Sequence, residues 1–354
     1  MELIVKDANF QAVGLLDQFE SLIWTDRFSA YGDFEFYVKS LDYPDVLKTD
    51  YYLFLKESEH VMIVEDRSND SDVEKGSYIK VTGRSLESIL DRRVIWQQTI
   101  LSGNLQNGIH QLLNDAIISP TDTTRKIPNF IFEASTDPLI TNLTVNTQFT
   151  GDNLYTAIKQ LCDNASIGFK ITINSSNQFV FKLYAGTDRS YQQTTNPFVV
   201  FSPRFDNLIT SNYVDSIKTL KTISLVGGEG EGSARKLLGV SISSGAGSGL
   251  SRREMFTDAR DVSSTVSGST LTTEQYNAQL TQRGQQDLAK NTATLSFEGT
   301  TDATNMYKYG TDFGMGDIIQ VENEYGMRSR SRVTEMVNSQ STEGLSFLPT
   351  FTAI

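Results

Sequence analysis

"DYYLFLKESEHVMIVEDRSNDSDVEKGSYIKVTG" occupies residues 50–83, and "GDIIQVENEYGMRSRSRVTEMVNSQSTEGLSFLPTF" occupies residues 316–351. Each stretch has an acidic residue, an apolar strand, a polar turn and a second strand that ends in an acidic residue. A Ser/Asn-rich loop, a Lys-Gly or Glu-Gly turn and a third strand follow. The shared plan predicts two similar β modules in one chain. The paired landmarks are Asp50 and Asp317, Glu65 and Glu335, and Gly76 and Gly344.

The first hundred residues have short strands with a period close to two, separated by polar and glycine-containing turns. This pattern predicts a barrel or sandwich over residues 1–100. The predicted strands are residues 1–7, 20–26, 34–38, 53–56, 60–68 and 78–83.

Residues 101–200 are predicted to form an α+β middle region. Helical spacing of apolar residues begins just before it, at 84–94, where Ser85 is the expected cap and the helix is expected to cover one end of the barrel. Further helices are predicted at 105–118, ending at Pro120, and at 152–164, capped by Asp152. A strand hairpin with a Ser-Ser-Asn turn is predicted at 169–186.

Residues 201–354 are predicted to form the second β module, and the two barrels are expected to share discontinuous segments. Strands at 213–220 and 221–226 run into a glycine-rich segment that is expected to be flexible, and a helix is predicted from about Thr273, with Leu280 and Leu288 in its core. The last sixty or so residues again have a strand pattern. The predicted fold class is therefore mainly β with α+β parts.

The charge balance excludes some partners. The chain of 354 residues has 31 Lys and Arg against 43 Asp and Glu, a formal net charge of -12, which argues against binding nucleic acid or an anionic membrane. Arg328, Arg330 and Arg332 alternate on a predicted strand and are interpreted as a solvated face or a subunit contact, with a nucleic-acid patch as the alternative. No signal peptide or run of about 18 apolar residues is visible, so the protein is expected to be made in the cytoplasm without stable membrane binding.

Few residues suggest chemistry. The single cysteine, Cys162, lies at an apolar helical position and is predicted to be a core residue. His60 in a predicted turn and His110 beside an apolar stripe are interpreted as surface or helix-boundary residues, since no metal, nucleophile or phosphate-loop motif accompanies them. No catalytic, cofactor or metal site is therefore expected.

The glycine-rich segment 227–232 is the main candidate functional loop. Its two carboxylates, Glu229 and Glu231, suggest acid and base work on a glycan, but residues two apart in an extended loop tend to point in opposite directions. A phosphate site is disfavoured because acidic side chains repel phosphate. The loop is instead predicted to be a turn or subunit contact. Its residues are Gly227, Gly228, Glu229, Gly230, Glu231, Gly232 and Arg235.

The two tryptophans give one further alternative. Trp24 and Trp96, together with many tyrosines, are able to stack on sugars in a carbohydrate-binding module. Both lie near apolar strand or helix positions, so core packing is the preferred interpretation.

Three segments carry a resemblance to a known family. IWTDRFSAYGDFEFYV at 23–38 resembles the N-terminal strand pair of tail-tip hub proteins from long-tailed, non-contractile phages of Gram-positive bacteria. VGGEGEGSARKL at 226–237 with SRREMFTDARDV at 251–262 resembles the central segment of that family, and FGMGDIIQVENEYGMRSRSRVTEM at 313–336 resembles its C-terminal hairpin. The three segments occur in the family's order and span most of the chain.

The resemblance implies a baseplate or tail-tip hub in the virion, and not an enzyme. Such a hub is a homotrimer in which each chain contributes two tail-tube-like β-barrel domains with α+β decorations. The implied partners are a distal tail protein or tail tube ring, the tape measure protein, and a tip fibre, spike or receptor-binding protein. Genomic DNA is expected only as passing cargo in a carboxylate-lined channel, and any cell-wall cutting is expected to belong to another protein. The alternatives are the hub of a tailocin or contractile secretion system, and, less favoured, a wall hydrolase or glycan-binding module.

Overall fold

The structure, a computed structural model, describes residues 1–39, 46–72, 76–266, 269–301, 306–342 and 344–354. The chain is mainly β with helices in its middle region and near residue 280. Lys75 and Glu343, which belong to the two predicted hairpin turns, lie outside the described residues. No helix of the described part is long and apolar enough to cross a membrane.

The first module is built from strands with an alternating pattern. Phe34, Phe36 and Val38 are buried while the residues between them are partly exposed, as expected for a sheet with one face on the core. The predicted strands are confirmed with small changes in their bounds, and one strand, β2, was missed. The strands are β1 Leu3–Lys6, β2 Ala12–Leu16, β3 Ser21–Arg27, β4 Asp33–Lys39, β5 Tyr52–Leu55, β6 Val61–Asp72 and β7 Gly76–Ser85.

The middle region has its own core, which includes Leu90, Ile158 and Phe169. Residues Leu86–Arg92 form a 3-10 helix whose Leu86 and Leu90 pack in this core together with Val61 of β6. Its Ser85 makes no side-chain cap because the hydroxyl is bonded to Glu87. The elements are β8 Thr99–Asn104, α1 Leu105–Leu113, β9 Phe130–Glu133, α2 Pro138–Thr141, β10 Thr144–Phe149, α3 Leu154–Ala165, β11 Gly168–Ile173 and β12 Phe179–Tyr184.

Two further details of the middle region correct the sequence analysis. Helix α3 is capped by Asn153, whose side chain accepts a hydrogen bond from the Thr156 amide, and not by Asp152. Helix α1 continues into a wider turn, Asn114–Ile118, which ends before Pro120 as predicted. The β11–β12 hairpin with its Ser-Ser-Asn turn is confirmed.

The rest of the chain contains two cores. One surrounds Phe201 and Val333, and the other lies between a small sheet and α4, where Val226 packs with Leu280. Helix α4 begins at a capping box of Thr272 and Gln275. The elements are β13 Val200–Phe201, β14 Leu208–Ser216, β15 Ile223–Gly227, β16 Leu237–Ser241, β17 Glu254–Asp258, β18 Thr265–Val266, β19 Ser269–Thr270, α4 Thr273–Ala289, β20 Thr294–Thr301, β21 Ile318–Glu322, β22 Arg328–Ser341 and β23 Gly344–Ala353.

The internal repeat is confirmed as a repeated strand order. In the first module the neighbours run β3, β4, β7, β6, β5, and in the second they run β14, β20, β23, β22, β21. Both long strands carry a β-bulge, between Val64 and Asp66 in β6 and between Val333 and Glu335 in β22. Because a bulge lets a strand bend and continue, the strands do not end at Glu65 and Glu335, and the expected Ser/Asn-rich loops are strand as far as they are described.

The two modules are joined edge to edge in one sheet. Before its bulge β22 pairs with β21, and after it β22 pairs antiparallel with β3, from Glu335 opposite Arg27 to Ser341 opposite Ser21. We call residues 21–27 and 335–341 the module joint. The sheet has thirteen strands among the described residues. Eleven of them follow one another in an open order from β14 to β2, and β21 and β13 branch from β22. Within the described ranges this order does not close into a barrel.

Candidate assembly interface

One arginine adds side-chain contacts to the strand pairing of the module joint. Arg27 Nε lies 2.7 Å from Glu335 Oε2, and Arg27 Nη1 lies 2.6 Å from Asp33 Oδ2 and 3.1 Å from the Tyr31 carbonyl oxygen. Burial alone would lower the pKa of Arg27, but its hydrogen bonds to the two carboxylates raise it above the ordinary value. The guanidinium therefore stays charged and links the last part of the chain to the first.

A buried ionisable cluster lies beside the joint. His60 Nδ1 is 3.2 Å from Glu87 Oε1, and both side chains are almost fully buried. Burial opposes the charge on the imidazole, but the adjacent carboxylates of Glu87 and Asp26 raise the pKa of His60 to about 9. The interpretation of His60 as a surface residue is wrong because the β5–β6 turn folds inward onto Glu87.

The cluster connects two parts of the fold. Glu87 Oε1 also accepts a hydrogen bond of 2.7 Å from the Ile171 amide in β11, which ties the first module to the middle region. Asp26 accepts bonds from Trp24 Nε1 at 2.9 Å and from Ser58 Oγ at 2.7 Å, while burial raises its pKa. The hydrogen bonds of Glu87 and Asp26 thus fix both buried carboxylates inside the fold.

A cleft next to this cluster brings together several acidic residues. It is lined by Asp26 and His60, by Lys170 and Tyr184 of the middle region, and by Tyr309 and Asp317 of the second module. Asp317 Oδ2 binds Arg189 Nε at 2.8 Å, and Glu59 at the rim binds Lys170. The cleft therefore lies where three parts of the chain meet. Asp26, Asp317 and Glu59 already bind partners within the chain, so they do not form a free acid and base pair.

The arginine stripe of β22 is also used within the chain. Arg328 Nε lies 3.3 Å from Glu322, and Arg330 Nη2 lies 2.6 Å from Asp188. Arg332 donates to the carbonyl oxygens of Ala185 and Gly316 at 2.8 and 2.9 Å. These contacts are internal ion pairs and hydrogen bonds. Arg330 and Arg332 are partly buried, whereas the side chain of Arg328 is 59% exposed, as on a solvated face.

The glycine-rich segment forms the turn between β15 and β16, and its backbone is tied to its surroundings. Arg235 donates to the carbonyl oxygens of Gly227 and Gly228 at 2.9 and 3.2 Å and to Asp258 at 2.6 Å. A Cβ atom on Gly228 would lie 2.4 Å from the Tyr276 hydroxyl oxygen, so only glycine fits there. These contacts fix the conformation of a segment that the sequence suggested to be flexible.

The two carboxylates of this segment have different surroundings. Glu229 accepts a hydrogen bond from Ser264, which lowers the pKa of its carboxyl, and its amide donates to Tyr276. Glu231 is exposed. The structure ties the Glu229 carboxylate to Ser264 and leaves Glu231 exposed, so it does not bring the two carboxylates together around a bond.

The remaining candidate residues have mixed outcomes. Trp24 is fully buried, as predicted, whereas Trp96 is 64% exposed and stacks on Arg125 at 4.3 Å, so core packing is wrong for Trp96. Cys162 is buried and burial raises the pKa of its thiol, which confirms the core prediction. His110 is exposed and stacks on Phe132, as expected for a surface residue.

Two strand edges were missed by sequence reasoning. After its bulge, residues 66–72 of β6 pair with β7 on one side, and β14 lies at one end of the strand order. Neither edge has a second strand partner among the described residues. The tract DRSNDSD at 66–72 carries no apolar alternation, and the predicted strand therefore ended at residue 68, within this tract.

No group of histidine, cysteine or acidic residues in the described ranges is arranged to hold a metal ion.

Comparison with known proteins agrees with this architecture. The model of the siphovirus ReqiPepy6 Gp37-like protein family matches residues 2–351. No curated protein sequence matches the chain.

Three solved structures have a similar fold over nearly their whole length. A prophage tail protein, gp18, from Listeria monocytogenes is 15% identical, with a TM-score of 0.54 and coverage of 99% of this chain and 94% of that chain. A tail protein from Neisseria meningitidis is 12% identical, with a TM-score of 0.59 and coverage of 99% and 95%. A 43 kDa tail protein of prophage MuSo2 from Shewanella oneidensis is 11% identical, with a TM-score of 0.57 and coverage of 100% and 98%. With the family model spanning residues 2–351, the chain belongs to the siphovirus ReqiPepy6 Gp37-like protein family.

Proposed function

We propose that this tail protein is a tail-tip hub, a homotrimer whose three chains form a ring at the end of the tail tube. The observation that carries the proposal is the repeated strand order together with the module joint. Three chains with two similar modules each present six near-equivalent units around a threefold axis. Such a ring matches sixfold tail rings on one side and threefold tip components on the other.

The proposed domain division follows from this role. Residues 1–100 form the first tube-like module, residues 101–200 the α+β middle region, and residues 201–354 the second module with its glycine-rich loop and helical excursion. The buried His60 and Glu87 pair supports a fixed attachment of the middle region to the first module, since Glu87 also bonds to Ile171. In the assembled ring the modules of neighbouring chains complete a barrel that a single chain leaves open.

The proposed partners are those of a connector. The ring contacts a distal tail protein or tube ring on one side and a fibre, spike or receptor-binding protein on the other, with the tape measure protein at its axis. Genomic DNA passes through without stable binding, because a net charge of -12 disfavours phosphate adhesion. The role is structural, and we expect the purified protein to release no fragments from isolated cell wall; release that disappears in Glu229→Gln or Glu231→Gln would contradict it.

Native mass spectrometry of the full chain tests the proposal. The expected particle contains three chains of 39.4 kDa each. A stable monomer at micromolar concentration, or a closed dimer, would remove the basis for a threefold ring. Electron microscopy of the same particle is expected to show a central hole.

A further inference from the structure

We propose that residues 66–72 of β6 pair antiparallel with residues 210–216 of β14 in a neighbouring copy of this chain. This inference rests on the proposed ring and specifies the contact that closes it. It assigns a register: Asp66 opposite Ser216, Ser68 opposite Val214, and Asp72 opposite Thr210. Each edge is thus occupied by a strand of a second copy. The contact is the same kind of antiparallel strand pairing that the module joint makes within one chain.

The first step of the argument is the equivalence of the two long strands. The β6–β7 hairpin closes with Asp72 opposite Gly76, and the β22–β23 hairpin closes with Ser341 opposite Gly344. Asp66 and Glu335, which follow the bulges, each stand six residues before that closing pair. Residues 66–72 are therefore the counterparts of residues 335–341, which form one half of the module joint.

The second step gives the counterpart of the other half. In the first module Gly83 of β7 lies opposite Phe34 of β4, which lies opposite Trp24 of β3. In the second module the same positions are Phe351 of β23, Phe297 of β20 and Tyr213 of β14. Gly83 and Phe351 each stand seven residues after the first residue of their strands. Residues 210–216 are therefore the counterparts of residues 21–27.

The third step is the state of these two edges. Strand β22 pairs with β21 before its bulge and with β3 after it. Strand β6 pairs with β5 before its bulge, but after the bulge this edge has no partner strand in the described part of the chain. A sheet edge without a further partner strand readily accepts one from another chain. Residues 66–72 can therefore pair with residues 210–216 of another copy as residues 335–341 pair with residues 21–27 in the joint. A copy that uses both edges continues the sheet on each side.

Side chains at the edges agree with a covered contact. Val214 is 37% exposed, whereas its counterpart Thr25 in the module joint is only 4% exposed. The register also places Arg67 opposite Asp215, an oppositely charged pair on one face. The joint has a comparable pair in Arg27 and Glu335. Pairing would thus cover an exposed valine and oppose unlike charges.

Disulfide trapping tests the register. In the joint, the amide of Phe28 donates to the Thr334 carbonyl oxygen at 3.0 Å, so Thr25 and Val337, three positions away, form a non-hydrogen-bonded pair. The corresponding intermolecular pair is Ser68 and Val214. Such pairs have Cα atoms about 4.5 Å apart, which is within disulfide range. Native Cys162 is buried and stays in place.

The experiment uses the full chain under mild oxidation. Ser68→Cys/Val214→Cys is expected to give covalent oligomers up to the trimer on non-reducing gels, and a mixture of the two single variants is expected to give only covalent dimers. Thr25→Cys/Val337→Cys is the matched control, which should close the joint inside one chain. Ser68→Cys/Asp215→Cys shifts the register by one residue, turns the side chains to opposite faces, and should give at least tenfold less cross-linking.

The outcomes separate this inference from the hub proposal. A native trimer in which Ser68 and Val214 do not cross-link, or cross-link within one chain, overturns the register and leaves the hub standing. Equal cross-linking of the shifted pair overturns the register as well. A native mass of a single chain overturns both.

Discussion

His60 illustrates how one buried residue can hold a structural boundary. Its imidazole lies against Glu87, and Glu87 in turn accepts the Ile171 amide, so a single carboxylate receives bonds from the first module and from the middle region. A charged pair of this kind is stabilising only while both partners keep their charge, because either one alone would be a buried uncompensated ion.

The pH dependence of stability follows from the His60 pKa. Since its folded pKa of about 9 lies above the unfolded value of 6.5, the stabilisation is complete below pH 6.5 and is lost as pH rises through about 9. The total loss is on the order of 3 kcal/mol. Denaturant unfolding from pH 6 to 9.5 measures it.

Two substitutions serve as variant and control for this prediction. His60→Gln should be less stable at pH 6 and should show a nearly flat profile across the same range. His110→Gln, at an exposed position, should keep the wild-type profile. A wild-type protein whose stability rises toward pH 9 would contradict the assigned role of His60.

Gly228 gives a second prediction at the scale of single residues. In Gly228→Ala the new methyl group meets the Tyr276 hydroxyl and Leu280, so the turn and α4 must separate, at a cost of about 1–3 kcal/mol. Hydrogen exchange in residues 223–289 should accelerate. Gly239→Ala is the control, because the nearest atom to its Cβ is 3.9 Å away, and exchange there should change little.

Among the secondary-structure elements, the bulged strand β22 has the most consequences. Its first part belongs to the second module and its last part to the joint, where Glu335 stands directly after the bulge. The bend at the bulge brings the carboxylate within 2.7 Å of Arg27. A straight strand would continue beside β21 and would not reach β3.

Loss of the joint ion pair should lower stability measurably. Glu335→Gln removes the charge opposite Arg27 and should cost about 1–2 kcal/mol, as expected for a partly buried, charge-assisted hydrogen bond. Glu20→Gln is the matched control, since Glu20 and Lys39 are 3.7 Å apart and largely exposed, and it should cost about 0.5 kcal/mol or less. Urea unfolding compares them, and equal effects would show that the joint pair has no special weight.

Local patterns predicted the individual elements of this fold better than the way they connect. Strand β4 was recognisable because Phe34, Phe36 and Val38 alternate with polar or half-exposed neighbours, and α4 because Thr272 begins a capping box. Strand β2 was missed because its Val13 and Leu15 are apolar yet exposed. The bulges have no local signature, and they alone decide that the polar tract 66–72 is a strand.

Side-chain environments were predictable only where local pattern decides them. Cys162 lies on an apolar helical stripe and is buried, as expected. Trp96 was predicted to be buried and His60 to lie at the surface, and both predictions are wrong. The exposure of Trp96 depends on Arg125, and the burial of His60 depends on Glu87. Those partners are 29 and 27 residues away along the chain, beyond the reach of periodicity.

At the scale of the whole molecule, the proposed assembly depends on the open sheet order. The two sheet edges of the proposed contact are residues 66–72 of β6 and residues 210–216 of β14. In the strand order they are separated by β20, β23, β22, β3, β4 and β7. Contacts between unlike edges propagate from copy to copy until they close. A closed ring therefore needs several chains.

Val214→Lys should weaken that assembly without unfolding the chain. The lysine places a charge at an exposed edge position whose counterpart is buried in the joint. We expect the concentration at which half of the chains are assembled to rise by about tenfold or more, measured by analytical ultracentrifugation. Leu139→Lys, at a 64% exposed position of α2, should leave it unchanged, and equal shifts in both would speak against a β14 contact.

The module joint also gives the chain a directional mechanical response. Seven residue pairs, from Glu335 with Arg27 to Ser341 with Ser21, connect β22 to β3. Their hydrogen bonds run across the strands, so traction parallel to β22 strains all of them together, whereas traction perpendicular to it peels them apart in succession. A chain built in this way is stiff against pulling along its strands and yields far more readily when it is pried open sideways.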